Sequence, residues 1–288
     1  MDTIESRKSD VGFNIWHAMT HSYRAPGSPK YAIGFGAFAV LMMIVAYTAI
    51  ILVFALLMGA SVAHLSAGDI SGVSGGAVAA LVLAYILFLL FMIYLAAVLE
   101  AGMHRRMLGL QDSGFPFRLG QDETNVFVSL LGVYGLYLGA VFIGGLFGGL
   151  LGAISPILNL ALVIIYVFVA VFMVKLSPAA ALTVLNKKPQ VLAALKVSKY
   201  RSGSIFFTYV CIVTFFYGSL CLIVLLVMGP LIFSGGMGGD PTAALKGGSF
   251  GLIVVASLAA LALYVMTLPM MMGVGSYVVN HWRGEQED

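Results

Sequence analysis

Six long stretches without a formal charge leave this chain little choice of fold. Tyr31 to Met58, Gly76 to Leu99, Val126 to Ala153, Pro156 to Val174, Ile205 to Phe233 and Phe250 to Val279 each contain no Asp, Glu, Lys, Arg or His. A bilayer core of ~30 Å is crossed by about 20 apolar residues in a helix. Lipid offers no partner to backbone N–H and C=O groups, so a helix, which bonds to itself, is the expected form of runs this long. The predicted fold class is therefore all-α, an integral membrane bundle of six transmembrane helices. Only 9% of the residues are charged and 61% are hydrophobic, against roughly 25% charged in a soluble domain. Several runs exceed the minimum length, which predicts tilt.

The basic residues set the expected orientation. Arg7, Lys8, Arg24 and Lys30 precede the first span; Arg105, Arg106 and Arg118 lie between the second and third. Lys175, Lys187, Lys188, Lys196, Lys199 and Arg201 lie between the fourth and fifth, and Arg283 follows the sixth. Fourteen of the fifteen basic residues thus share one side, and only Lys246 falls on the other. The positive-inside rule makes that side cytoplasmic, with both termini there, as in a bacterial inner membrane. The expected organisation is a cytoplasmic tail over residues 1–30, a membrane domain over 31–280 and a short tail over 281–288. The polar N-terminus lacks the apolar core of a secretory signal, so no cleaved leader is expected. The loops at Ala60 to Gly75 and Ser234 to Ser249 are rich in Gly, Ser and Ala and suggest no outer domain.

Each pair of successive spans forms a hairpin preceded by a segment on the basic side. Tyr23-Arg24-Ala25-Pro26-Gly27-Ser28 and Tyr200-Arg201-Ser202-Gly203-Ser204 share wording, with Phe117-Arg118-Leu119-Gly120 as a third version. We read three units of short cytoplasmic interfacial helix plus hairpin. Before the first span, Val11, Ile15, Trp16, Ala18, Met19 and Tyr23 share one side of a helical wheel. Asn14, His17, Thr20, His21 and Arg24 share the other. Such a helix is expected in the headgroup layer. Pro189 is suited to start a second, through Val191, Leu192 and Leu195. Ser177-Pro178 and Leu268-Pro269 predict bends near the basic ends of the fourth and sixth spans.

Leu176-Ser177-Pro178-Ala179-Ala180, then Ala193-Ala194-Leu195-Lys196-Val197-Ser198 and Arg201-Ser202-Gly203, carry a resemblance. The pattern is similar to the second half of six-span bacterial proteins of the YciC-like family and of the membrane domain fused to some glycerophosphodiester phosphodiesterases. It covers about a third of the chain. The tryptophan usual after the serine is replaced by Lys199. The resemblance implies a six-span topology and no settled activity, and the phosphodiesterase catalytic domain has no counterpart.

No catalytic constellation, cofactor fingerprint or metal-ligand set is legible. Spans without ionisable groups offer no carboxylate to a proton-coupled carrier. Ala140, Gly144, Gly148 and Gly152 recur every four residues on the third span, a small-residue face suited to close helix packing. Arg105, Arg106, Lys187, Lys188, Lys196, Lys199 and Arg201 are candidates for contact with anionic lipid. Glu100 and His104, four residues apart, are expected as a local ion pair. The histidines His17 and His21 share that spacing on the polar side of the first short helix and are expected to serve as interface anchors. Met270, Met271 and Met272 point in different directions on a helix and are expected to pack. Cys211 and Cys221 stand about 15 Å apart on one helix, beyond disulfide reach, and are expected as buried small hydrophobes.

Two functions fit. One is a non-enzymatic scaffold or accessory subunit that acts through lateral helix packing, with membrane lipids and other membrane chains or its own copies as partners. The alternative is a passive channel or transporter of lipid-like or apolar solutes, built around the glycine-rich third span. Nucleic acid is not an expected partner, because the positive charge lies flush with the membrane.

Overall fold

The computed structural model describes residues 12–24, 30–66, 75–110, 119–154, 159–235 and 249–287. Among these the chain is helical throughout its regular elements. They are α1 (Ile15–Arg24), α2 (Lys30–Ser66), α3 (Gly75–Met107), α4 (Gln121–Ile154), α5 (Asn159–Lys175), α6 (Ala179–Asn186), α7 (Val191–Val197), α8 (Ser202–Gly235) and α9 (Ser249–Glu287). Six helices are long and apolar enough to cross a membrane, the fourth span comprising α5 with α6. The lead-in segment at 111–118 and the tips of the loops between spans lie outside the described residues.

Successive spans pack in chain order, α2 on α3, α3 on α4, α4 on α5, α5 on α8 and α8 on α9, and α9 closes back on α2. The result is a ring of six, with α9 also reaching across to α3. The two short helices that the sequence reading places before the first and fifth spans form, as α1 and α7. Between them sits an element that the reading does not contain. Pro178 was expected to bend the fourth span; instead the chain turns through Leu176–Pro178 and starts the separate helix α6. Proline has no N–H to continue the ladder, so a sharp stop is the physical outcome. The hydroxyl of Ser198 satisfies an orphaned carbonyl at the end of α5, bonding Lys175 O at 2.9 Å.

Among the described residues, helix α6 is the most buried element. Ala179, Ala180, Ala181, Leu182, Thr183 and Val184 are all buried, and the helix touches α3, α4, α7 and α9. It fills the ring at the end where the basic residues gather. Leu176, Leu182 and Val184 form one core with Ala97, Ala101, Val126, Ile205, Ile212, Val274 and Val278. A second cluster, Phe35, Ala39, Leu95, Leu99 and Met103, seals α2 against α3. Both clusters favour the basic end. Farther along, Ile51 and Leu52 on α2, Leu138 and Phe142 on α4, and Leu225 and Leu226 on α8 are exposed.

Helix α9 organises the ring through close backbone contact. Pro269 lies inside it and leaves the carbonyl four residues back, Val265 O, without its helical donor. Gly36 of α2 sits against that carbonyl: a Cβ placed there would lie 2.1 Å from Val265 O. The next carbonyl, Met266 O, accepts the hydroxyl of Tyr23. Gly275 meets Ser177 O, which a Cβ would approach to 2.7 Å, and Gly273 meets the backbone of Ser22 on α1. Met270 and Met271 pack into the larger core while Met272 turns to the α2–α3 cluster, so the methionine run spreads rather than converges.

Cys211 and Cys221, expected buried, are exposed on α8. Helix α1 also packs against the bundle. It docks on α9 and α8, burying Ala18, Met19 and Ser22 while leaving Trp16 61% exposed. Small residues permit the close approach, and the large indole is left to the surroundings.

Overpacking a close contact costs about 1–3 kcal/mol or more. Gly36→Ala is therefore expected to destabilise the protein by at least ~2 kcal/mol, whereas Gly34→Ala, with open space around it, is expected to be neutral. Equilibrium unfolding in mixed micelles would show this, and equal stability of both variants would rule the contact out.

Candidate functional site

The charges that the sequence places just outside the spans are drawn into the basic end of the bundle. Helix α3 does not stop at Leu99 but continues to Met107, and α4 begins at Gln121 rather than Val126. These extra turns carry Glu100, His104, Arg105, Asp122 and Glu123 into the packed region. Burying a charge is costly unless it is paired, and the pairing is visible. Arg105 Nη2 lies 2.6 Å from Glu123 Oε1, and Nη1 lies 3.5 Å from Asp122 Oδ2. Glu123 is 1% exposed and Arg105 7%.

Glu123 also finishes the helix it begins. Its Oε2 accepts the Gly120 N–H at 3.0 Å, the carboxylate half of a capping box. The Thr124 hydroxyl returns to Gly120 O at 3.1 Å. One carboxylate thus caps α4 and ties it to α3. A carboxylate in the first turn also suits the positive end of the helix dipole.

Next to this pair, His104 Nδ1 shares a 2.7 Å hydrogen bond with Ser276 Oγ of α9. The expected partner Glu100 stands 4.0 Å from Nε2, so the bond across helices is the closer interaction. Deeper in, Ser129 and Thr183 share a hydrogen bond of 2.8 Å, and the Gln190 N–H donates to Thr183 Oγ1 at 3.1 Å. The Asn125 amide donates to Lys187 O at 2.9 Å. That contact supports Lys187 in the left-handed conformation, φ 54°, which ends α6. These bonds link α4, α6 and the α6–α7 turn.

On the flank, α1 meets α9 through a mixed polar and aromatic contact. Asn14 caps α1 by accepting the His17 N–H at 3.1 Å and donates its own N–H to Tyr277 Oη at 3.2 Å. Phe13 packs edge-on against Tyr277, which stacks on His281. His21 faces Tyr277 edge-on and lies 3.4 Å from Asn280 Nδ2, which also donates to Met107 O. Burial pushes His21 down to about 4. His17, four residues earlier, stays exposed, so the two histidines occupy different surroundings. No group of three or more His, Cys, Asp or Glu suited to a metal occurs among the described residues.

The candidate lipid-contacting cations divide by exposure into three sets. Arg105 and Arg201 turn inward and are buried. Arg106 is half-buried with its guanidinium over the Tyr31 ring at 5.1 Å. Lys187, Lys188, Lys196 and Lys199 are exposed. Leu192, Lys196, Lys199 and Tyr200 form one exposed edge along α7 and the turn after it, with Lys199 Nζ over the Tyr200 ring at 5.1 Å. Ala194 and Val197 form its buried side.

On α4, Gly144 and Gly148 are buried and Ala140 half-buried, whereas Phe142, Ile143, Leu146 and Phe147 are exposed. The side-chain surroundings of Gly152 lie outside the described residues. One apolar cleft of about 420 Å³ opens between α2 and α3, lined by Met42, Val45, Ala46, Ala49, Ile50 and Phe88 among others. Sequence reasoning missed both this cleft and the Arg105–Glu123 pair. Asp122-Glu123 after Gly120 is a legible helix start, but its partner on another helix is not.

Removing one member of a buried ion pair costs about 3–5 kcal/mol. Glu123→Ala is expected to lose at least ~3 kcal/mol, while Arg105→Met with Glu123→Met recovers most of it, as read from denaturant midpoints in micelles. A second expectation concerns pH. Because His21 is held below its ordinary value, an undocked α1 binds a proton that the docked helix refuses. Docking therefore weakens as pH falls from about 6.5 towards 4. In a Cys211→Ser, Cys221→Ser background, the labelling rate of an Ala18→Cys thiol, divided at each pH by that of a small free thiol, should rise across that window, and His21→Phe should abolish the rise.

No family model, curated protein or solved structure matches this chain.

Proposed function

We propose that this multi-pass membrane protein is a non-enzymatic scaffold or accessory subunit of a bacterial cytoplasmic membrane, with both termini in the cytoplasm. The observation that carries the reading is where burial falls. Of the most apolar 18-residue stretch of α8 only 6% is buried within the chain, and of α9 only 11%. The described core instead gathers at the basic end. A bundle that ties its helices at one end leaves long lateral surfaces free for lipids, other helices or further copies. The polar groups at the tied end are engaged with one another, as expected of a brace.

The exposed lysine edge supports a lipid contact on the same side. Lys196 and Lys199 flank the exposed Leu192 and Tyr200, a pairing of cation and interfacial apolar group suited to an anionic headgroup layer. Each such cation near the surface contributes ~1 kcal/mol. Helix α6, which fills the ring at the basic end, weighs towards a brace over an open channel.

Extraction in a mild detergent is expected to recover the protein with a stoichiometric membrane partner or as a defined oligomer, with anionic lipid retained. Lys196→Gln with Lys199→Gln should lower the preference for anionic over zwitterionic lipid by about tenfold or more. A bare monomer whose lipid preference ignores those lysines would overturn the proposal.

A further inference from the structure

We infer that the interior of the ring holds a binding site for an organic ammonium ion, with Glu100 as its counter-charge. This goes beyond the scaffold reading and does not depend on it. The uncharged run from Gly76 ends at Leu99, but the spanning helix continues to Met107 and takes Glu100 with it. Asp122 and Glu123 spend their charge on Arg105. Glu100 has no such cation. Among the described residues the group paired with it is His104, 4.0 Å away and already bonded to Ser276. The Glu100 side chain keeps 22% exposure, against 2% for that of His104.

Electrostatic contacts fix where this carboxylate points. Its charge is felt at the hydroxyl of Tyr134 on α4 and at that of Tyr209 on α8, and Tyr134 also feels Tyr264 of α9. In the ring α3 does not adjoin α8, nor does α4 adjoin α9, so these pairs face one another through the interior. Four helices thus bring one carboxylate and three phenol rings to a common space. Tyr134 is 41% exposed, and Tyr209 and Tyr264 are half-buried. Helix α6 fills the ring on the basic side, which leaves the far half as the approach.

Chemistry then selects the occupant. The Tyr209 hydroxyl donates to Met271 O at 3.2 Å, and the Tyr264 hydroxyl to Met43 Sδ at 3.7 Å. With those protons spent, the phenols offer oxygen lone pairs and electron-rich ring faces, and both attract cations. Phe216 adds a further ring, edge-on to Tyr264 at 6.1 Å. Hard metal ions take about six or more oxygen ligands, and no group of three or more His, Cys, Asp or Glu suited to a metal occurs among the described residues. An anion would meet the charge of Glu100, and a neutral solute would leave that charge uncompensated. An ammonium with its charge spread over alkyl groups sheds water readily and meets the carboxylate and the ring faces together.

Equilibrium dialysis of the full chain in a non-ionic detergent, with radiolabelled benzyltrimethylammonium as the probe, tests the site. One saturable site per chain is expected. Glu100→Gln, nearly isosteric, should weaken it about tenfold or more. Tyr134→Leu should weaken it about threefold, whereas Tyr134→Phe, which keeps the ring, should change it less than about 1.5-fold. Neopentylbenzene, the same shape with carbon in place of the charged nitrogen, should not displace the probe at matched free concentration. Absence of saturable binding, binding indifferent to Glu100→Gln, or displacement by neopentylbenzene or by equimolar sodium would overturn the inference. Equal binding by Tyr134→Leu and Tyr134→Phe would do the same, which keeps the test decisive if Glu100→Gln impairs folding. Each of those failures leaves the scaffold reading standing, because that reading is measured by partners and retained lipid.

Discussion

Close backbone contact along α9 is the interaction on which the rest of the bundle depends. In lipid no hydrophobic force draws one apolar helix to another, so association relies on packing and on interhelical bonds. Helix α9 provides both at a single stretch. Pro269 frees a carbonyl, Gly36 lets α2 come against it, and Tyr23 donates to the next one. Gly273 and Gly275 admit α1 and the turn before α6. Without these notches the helices would stand apart by a side chain, and the dispersion that holds them would fall steeply.

The buried charges extend the same logic. Arg105, Asp122 and Glu123 lie near the membrane boundary, where a lone charge would seek water. Paired, they tie α3 to α4, and the cap that Glu123 forms with Gly120 sets where α4 starts. Polar side chains around α6 act alike: Thr183 joins Ser129 of α4 and the Gln190 N–H, and Ser198 joins Lys175 O. Such networks place α6 in one position more sharply than its alanines would, since apolar contacts are tolerant of sliding.

A bundle tied at one end presents two kinds of surface. The basic end is internally satisfied, edged by Lys196, Lys199 and Tyr200. The far lengths of α2, α3, α4 and α8 show apolar side chains along their flanks. That division suits a protein whose partners approach sideways within the membrane. An apolar cleft opens between α2 and α3 on that flank.

Much of the fold was legible in the sequence, and the reason is solvation. Lipid excludes charge, so uncharged runs from Tyr31 to Val279 had to be spans, and the six-helix class followed. Proline positions were readable too, but not their outcome: at Pro178 the chain breaks into a new helix, while Pro269 stays inside α9. Partnerships were not. Arg105 reads as a loop cation until α3 is seen to continue and α4 to bring Glu123 to it. His21 reads as a polar-side residue until α9 supplies Tyr277 and Asn280, and α6 reads as part of a span until Thr183 meets Ser129. Local patterns determine which residues become helix and which avoid lipid. Which helix meets which, where burial concentrates and where a cleft is left open depend on residues far apart in the chain, and only the tertiary structure decided them.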